Sequence, residues 1–364
     1  DKMSSVLDIK YKTPERIAGS IEGSILGASG HFEGSFLRND QGLDRLKVLL
    51  GVRYRTTRYL LGTLDIDGEY IPNFTDVQSY ITYDFNEEWQ LGLLMNYNRS
   101  EYQFAPESRS TAFGLVNFAL QLNSVYQGQE VDDFTTAMGG VSLTWLPKRE
   151  KNPLFMKLLI SGFRSLENER RDVLGFYRLG ESSRTITGEG GDELASLLGT
   201  GTQHNFVRNY LTIDVVNAAW RGGYEKQINN SKSNTIFYEW GLKWQHEDIT
   251  DQLNEWERLD SAGYSLNYDD ESVQLLNVIK SDINLSSDRF LAYGQATYSK
   301  TTERAEKKFI GGLRTAYWNL NEELIFSPRL KFLYKPLQSK RDVSYRLSAG
   351  YYFQPPFYRE LRSP

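Results

Sequence analysis

Apolar and polar residues alternate along much of the chain, in segments of about ten residues. The pattern is clearest at residues 235–245, where Ile236, Tyr238, Trp240 and Leu242 stand at every second position. A β-strand points successive side chains to opposite faces, so a period of two predicts strands with one apolar and one polar face. The same test predicts about thirteen strands, near residues 17–27, 30–38, 45–56, 76–85, 89–97, 136–146, 153–165, 205–220, 235–245, 284–300, 304–319, 324–335 and 343–354.

The connections between these strands alternate in length. Short links are predicted near 39–44, 86–87, 147–152, 221–233, 301–303 and 336–341. Long ones are predicted at 57–75, 99–135, 166–204 and 248–283, and the links near 28–29 and 320–322 depart from the rule by being short. Short turns on one rim and long loops on the other are typical of an outer-membrane β-barrel.

Aromatic residues make up 13% of the chain, with 23 Tyr, 19 Phe and 7 Trp. Such rings favour both strands and the membrane–water interface. The pattern predicts one band of rings beside the short turns, at Phe85, Trp89, Trp145 and Trp220. It predicts a second band toward the opposite strand ends, at Tyr54, Trp244, Trp318 and Tyr351.

These observations predict an all-β fold, a transmembrane antiparallel up-and-down β-barrel. The alternative is a large soluble β-sandwich, for example a carbohydrate-binding protein, in which the same rings form an ordinary core. Sandwich strands usually span about five or six residues, which is about half the length predicted here. In a sandwich, Trp240, Leu242 and Phe332 would share a dry interior between two stacked sheets.

Charged residues of the predicted strands fall on the polar face, which would line the lumen of a barrel. A wide lumen is wet and tolerates charge, whereas a basic residue on the lipid face at mid-membrane costs about 2–4 kcal/mol. The charges assigned to the polar face are Glu22, Lys47, Arg53, Asp76, Asp84, Lys157, Arg208, Asp214, Glu239, Lys243, Arg329, Lys331 and Arg346.

The overall composition excludes several classes of protein. The hydrophobic fraction is 40% and the mean hydropathy is −0.52, and no run approaches the roughly 18 apolar residues of a spanning helix. The chain has no Cys, which excludes disulfides and thiolate metal sites. The net charge of −5 argues against a nucleic-acid partner. No signal peptide is visible, and we expect any export signal to lie upstream of Asp1.

No catalytic, cofactor or metal site is predicted, and the chain is not expected to be an enzyme. His31, His204 and His246 lack metal-ligand spacing. Two acidic clusters could hold Ca²⁺, namely Asp132-Asp133 and Asp269-Asp270-Glu271. Such clusters more often lie in solvated loops without a bound ion. The glycines of residues 188–191 lack the context of a phosphate loop, no G-x-S-x-G motif occurs, and residues 189–199 could form a helical turn capped by Asp192.

Several segments resemble the barrel of TonB-dependent outer-membrane receptors of the Bacteroidetes type. Residues 346–362, which read RLSAGYYFQPPFYRELR, resemble a late-barrel strand that ends in Gln-Pro-Pro-Phe-Tyr. Residues 326–336 resemble the preceding strand, and residues 292–299 and 311–318 resemble the hairpin before it. Residues 128–136 and 254–266 resemble loop segments of the group.

The resemblance implies a 22-stranded barrel with an N-terminal plug inside it. Residues 1–364 would then be a partial outer-membrane β-barrel domain, without plug, TonB box or closing strands. An open sheet in lipid leaves unpaired backbone groups that cost several kcal/mol each. We therefore expect the rest of the polypeptide, or another chain, to complete the barrel.

The resemblance implies energised uptake of a nutrient across the outer membrane, with membrane lipids, the plug and the TonB complex as partners. Ligand would bind to the long loops 57–75, 99–135, 166–204 and 248–283, a placement that rests on their length. No individual ligand-binding residue is assigned. The alternative is a structural or assembly subunit of a larger outer-membrane complex, contacting surface lipoproteins or other barrels.

Overall fold

The computed structural model describes the chain from residue 9 to residue 361, with gaps. The described residues are 9–38, 42, 44–57, 70–115, 118–149, 151–182, 194–229, 231–260, 275–338, 341–356 and 358–361. Nearly all of them are in strands or in the short links between strands, and one helical turn, α1 (Tyr358–Leu361), follows the last strand. The all-β prediction is confirmed.

Fourteen strands are present. In chain order they are β1 (Ala18–Ser24), β2 (Gly27–Arg38), β3 (Asp44–Thr56), β4 (Tyr70–Asp84), β5 (Trp89–Phe104), β6 (Arg109–Leu115), β7 (Phe118–Trp145), β8 (Leu154–Ser182), β9 (Leu194–Ile228), β10 (Ser231–Asp260), β11 (Asn277–Thr301), β12 (Ala305–Trp318), β13 (Glu323–Pro336) and β14 (Tyr345–Gly350).

All fourteen strands belong to one antiparallel sheet. Each strand pairs with the next along the chain, except that β5 pairs with β7 and the short β6 forms a hairpin on the outer part of β7. Among the described residues no pairing joins β1 to β14, so the sheet is open at both edges and is not closed into a barrel. The sequence patterns missed only β6 as a strand in its own right.

Five strands are much longer than the sequence predicts. Strands β7, β8, β9, β10 and β11 span 28, 29, 35, 30 and 25 residues. The predicted loops 99–135, 166–204 and 248–283 are therefore wrong over most of their length. The predicted helical turn at 189–199 is also wrong where the structure describes it, since residues 194–199 lie in β9. Residues 58–69 of the first predicted loop, and residues 189–193 of the predicted turn, lie outside the described residues.

Much of the added strand length is polar on both faces, as at residues 167–171 of β8, which explains why an apolar alternation did not reveal it. Side-chain pairs connect the strands there instead. The Arg171 guanidinium on β8 donates two hydrogen bonds to the Glu130 carboxylate on β7, at 2.6 and 2.9 Å. On the next strand, the Asn209 amide donates to Glu169 and Glu255, at 3.1 and 2.6 Å.

The usual arrangement of a soluble protein is reversed in this sheet. Only five hydrophobic residues among those described are buried, against twelve polar or charged ones. The five are Leu211, Ile249, Leu253, Ala305 and Trp318. Large apolar residues are exposed along the whole sheet, including Leu242 at 55% and Leu330 at 68%. No second sheet covers them among the described residues. The described residues therefore do not form the alternative β-sandwich core around Trp240, Leu242 and Phe332.

No helix in the described part of the chain is long and apolar enough to cross a membrane.

Candidate functional site: the two faces of the sheet and a cavity on the polar face

The register of the strands separates an apolar face from a polar face. One row across the apolar face consists of Trp220, Leu242, Ala292, Thr315 and Phe326, which are direct cross-strand partners on β9 to β13. These side chains stand on the same side because paired residues of an antiparallel sheet point the same way. We call this side, which includes Ile236 and Trp244, the apolar face, and the opposite side the polar face.

Aromatic rings line the apolar face near the short turns. Trp89 of β5 stacks on Trp145 of β7, with ring centroids 5.8 Å apart. Phe309 of β12 contacts Phe332 of β13 at 4.6 Å. The same ends of the strands, beside the short turns, also carry Tyr224, Tyr238, Tyr298, Tyr334 and Tyr345. The rings form a row that crosses most of the sheet near its short turns.

A second group of rings on the apolar face lies toward the other rim, at Tyr54, Tyr97, Trp244, Phe290 and Tyr317. Two of the predicted band positions are wrong. Trp220 pairs with Leu242 well inside the sheet, because β9 continues eight residues further, to Ile228. Trp318 points to the polar face, since it pairs with Arg289 while its neighbour Tyr317 pairs with Phe290.

Charged pairs replace apolar residues on the apolar face immediately beyond the second group of rings. Arg164 and Asp214 form a two-bond ion pair at 2.6 and 2.8 Å. Arg99 contacts Asp133 at 2.7 Å, and His246 contacts Asp288 at 3.0 Å. Asp214 and Arg208 were predicted on the polar face, which is wrong. Their register is that of Val216 and Trp220, and the apolar pattern simply ends before them.

The other charges that the sequence assigns to the polar face stand in that register. Several are paired across strands: Lys47 with Asp84 at 3.3 Å, and Arg53 with Asp76 at 3.4 Å. Asp76 is buried, and it also accepts hydrogen bonds from the Gln78 amide. The remaining polar-face positions are Glu22, Lys157, Glu239, Lys243, Arg329, Lys331 and Arg346.

Segments at both ends of the described chain cross the polar face. Tyr11 stacks on Tyr80 of β4, with ring centroids 5.3 Å apart, and its hydroxyl donates to the Gln78 side chain. At the other end, the Tyr358 hydroxyl of α1 donates to the Asp251 carboxylate of β10 at 2.7 Å. Asp251 is completely buried. The polar face therefore gains side-chain partners from chain segments outside the sheet.

A cavity of about 450 Å³ lies between the polar face and the C-terminal segment. Its walls come from β9 to β13, and residues 353–356 with Tyr358 and Leu361 form one side. Apolar side chains such as Val215, Ile249 and Leu285 share the lining with Arg289 and Trp318. The cavity thus combines an apolar wall with charged groups, a combination typical of ligand pockets.

Arg289 organises the polar part of this cavity. Its guanidinium contacts the Glu247 carboxylate at 3.3 Å and lies over the Trp318 ring at 4.2 Å. Glu247 also accepts a hydrogen bond from the Gln245 amide, and Gln245 accepts one from Lys243 at 2.6 Å. Sequence reasoning missed this site because Trp318 was assigned to the wrong face.

The predicted calcium ligands Asp132 and Asp133 do not act together. They are consecutive residues of β7, so their carboxylates point to opposite faces. Asp133 pairs with Arg99, whereas Asp132 lies between Glu130 and Glu169. Burial, together with these two carboxylates, raises the pKa of Asp132 to about 6. The other predicted cluster, Asp269-Asp270-Glu271, lies outside the described residues.

The three histidines lie on three strands, β2, β9 and β10, and each contacts an acidic residue. Within the described ranges no group of three or more metal-ligating side chains could hold an ion. The glycine-rich residues 188–191 fall outside those ranges.

The chain matches no protein-family model, no curated protein and no solved structure in comparisons with each.

Proposed function

We propose that the chain is part of the wall of a transmembrane β-barrel in the outer membrane of a Gram-negative bacterium. The observation that carries this proposal is the exposed apolar face. Soluble proteins rarely expose a contiguous apolar patch larger than a few hundred Å², yet here exposed Leu, Val, Ile and aromatic residues extend from β1 to β14. Contact with lipid removes the cost of exposing this face to water.

The dimensions of the apolar face support the same proposal. On β10 the apolar positions run from Ile236 to Trp244, about nine residues, which is close to the 9–11 residues of a tilted membrane-spanning strand. Aromatic rings stand at both ends of this belt on several strands, and ion pairs such as Arg164–Asp214 follow immediately beyond it. This succession of aliphatic belt, rings and charge is what two membrane interfaces favour.

The open edges of the sheet call for further strands in such a membrane. The free edges of β1 and β14 would leave backbone groups without partners in lipid, at several kcal/mol each. In this proposal additional strands pair with both edges and complete a 22-stranded barrel around a plug domain. The charged polar face would then line the wet lumen.

Within this proposal the activity is energised uptake of a nutrient, as in the TonB-dependent receptors that the sequence resembles. The long strands β7 to β11 would project from the membrane and carry the ligand toward the lumen. Support comes from the polar face, which holds charges and a cavity at the level of the upper rings.

Two experiments test the proposal at its two levels. Density-gradient fractionation of the source cells should recover the protein in the outer membrane, and recovery in the soluble fraction would contradict the membrane assignment.

Cells that lack the gene should lose uptake of one member of a panel of labelled ferric chelates, cobalamin and oligosaccharides, and a protonophore should abolish that uptake in wild-type cells. Unchanged uptake of the whole panel would contradict the transport activity but not the membrane assignment.

One observation favours the alternative of a structural subunit. Beyond the ion pairs Arg164–Asp214 and His246–Asp288, Phe206 of β9 stacks on Trp256 of β10 at 5.0 Å, and His204 packs edge-on against Trp256. These rings share the register of the apolar face but lie far above the belt, where they could contact a surface lipoprotein or another barrel. Purification in mild detergent separates the two functions, because a subunit brings stoichiometric partners that W256A releases.

A further inference from the structure

The cavity on the polar face contains buried donors that no described residue satisfies. Trp318 is 6% exposed, and its indole Nε1 has no acceptor. The Nε of Arg289, whose guanidinium stacks on the same indole, also has no acceptor. Buried polar groups are nearly always hydrogen-bonded, so this cluster points to an acceptor supplied by a bound molecule.

The charges that line the cavity indicate what kind of acceptor fits. Three cationic side chains, Lys243, Arg289 and Arg314, face two carboxylates, Glu247 and Glu323. Glu247 neutralises Arg289 only through the guanidinium end, at Nη2, and leaves Nε free. A carboxylate accepts hydrogen bonds from Arg and from an indole N–H, and charge-assisted bonds of this kind are about twice as strong as neutral ones.

Much of the rest of the cavity wall is apolar, although Gln245, Asn321, Ser327 and Gln354 also line it. Ile213, Val215, Ile249 and Leu285 line it on the sheet, and Phe353 and Pro355 close it from the C-terminal segment. Its volume of about 450 Å³ falls within the usual range for small-molecule sites. A wholly polar ligand would leave this wall against water or against polar groups, at a cost in free energy.

We propose that this cavity binds a small carboxylate with an apolar body, with the carboxylate held between Trp318 Nε1 and Arg289 Nε. The site uses only the polar face and the C-terminal segment. It does not depend on the location of the protein, on energised uptake or on the number of strands in the complete barrel.

The test is calorimetric titration of the purified full chain, in a detergent without charge, with 4-phenylbutyrate and with its neutral amide. The carboxylate should bind with one site per chain, and the amide roughly tenfold more weakly, since it loses the charge-assisted bonds. Trp318→Phe keeps the ring under Arg289 but removes the N–H, and it should weaken carboxylate binding by roughly tenfold.

Two further variants make the result decisive. Trp244→Phe removes an indole N–H that donates to Asp288 on the apolar face, so it should bind 4-phenylbutyrate as the wild type does. Ala316→Phe fills the cavity from β12 and should abolish binding, and this variant carries the test if Trp318→Phe does not fold. The proposal is overturned if the wild type shows no saturable binding, which would leave water as the acceptor, or if Ala316→Phe binds like the wild type. Equal affinity of folded Trp318→Phe and wild type would also overturn it.

Discussion

Leu242 and its neighbour Lys243 show how sharply the two faces of the sheet differ. Leu242 is 55% exposed in the middle of the belt, directly between Trp220 and Ala292 on the neighbouring strands. Its neighbour Lys243 stands on the polar face, in the lining of the cavity. The two positions are adjacent in the chain, and their side chains occupy opposite environments.

A charge at Leu242 should therefore destabilise the protein in a bilayer. We expect Leu242→Arg to lower the free energy of unfolding from lipid vesicles by about 2–4 kcal/mol, the cost of a basic residue on the lipid face at mid-membrane. Gln295→Arg, on the polar face of β11 at a similar level, is the matched control and should cost much less. Urea unfolding followed by tryptophan fluorescence measures both, and equal costs for the two variants would contradict the assignment of faces.

Asp132 gives a pH dependence whose sign follows from its surroundings. Burial and the carboxylates of Glu130 and Glu169 raise its pKa to about 6 in the folded protein, whereas an unfolded aspartate titrates near about 3.9. Its contribution to stability is thus fully present below pH about 4 and is lost as the pH rises through about 6. The effect is modest, because part of the side chain remains in contact with water.

We expect Asp132→Asn to remove this dependence. Between pH 5 and pH 7 the wild type should lose stability relative to Asp132→Asn, as measured by the urea midpoints of the two proteins at each pH. Asp133→Asn is the control, because Asp133 is paired with Arg99 and its loss should lower stability rather than raise it. A constant difference between wild type and Asp132→Asn over this pH range would show that Asp132 is not perturbed.

Among the strands, the largest difference from the sequence prediction is the extra length of β7 to β11 beyond the apolar belt. Residues 166–182 of β8 pair with β7 and β9 along their whole length, although the sequence there predicts a loop. We expect backbone amides at 166–180 and 199–210 to be protected from hydrogen exchange nearly as well as those at 154–165. Exchange mass spectrometry of the detergent-solubilised protein measures this protection. Exchange within seconds at 166–180 would show that these residues form a loop, as the sequence predicts.

What the sequence could predict depended on contrast between the two faces of a strand. Residues 235–245 were predicted correctly because apolar side chains alternate there with Glu239, Lys243 and Gln245. Residues 167–171 read Glu-Asn-Glu-Arg-Arg, so neither face is apolar, and only the cross-strand pairs seen in three dimensions reveal the strand.

Adjacent aromatics set a second limit on prediction from sequence. Tyr317 and Trp318 are consecutive, and the pattern alone does not decide which of them faces outward. Their register with Phe290 and Arg289 decides it. Because the sequence pattern assigned Trp318 to the apolar face, it did not indicate the cavity, whose polar end is formed by Trp318 and Arg289. The alternation at residues 313–317 was the available signal, because it puts Leu313, Thr315 and Tyr317 on one face.

In the proposed barrel, the apolar face of the whole sheet contacts lipid and the polar face contacts water. The alternation extends across the sheet from β1 to β14, and it predicts one environment for even-numbered and another for odd-numbered positions of residues 236–244 on β10. The chain has no cysteine, so a single introduced cysteine can be labelled without background.

The most direct measurement is a spin-label scan of residues 236–244 in lipid vesicles. Each position is changed in turn to cysteine, labelled, and tested for collision with oxygen, which concentrates in lipid, and with a polar nickel complex, which stays in water. We expect high oxygen accessibility at positions 236, 238, 240, 242 and 244 and a lower value at the odd-numbered positions between them. Even-numbered positions that are closed to both reagents, as in a dry core between two sheets, or open mainly to the nickel complex, would contradict this expectation.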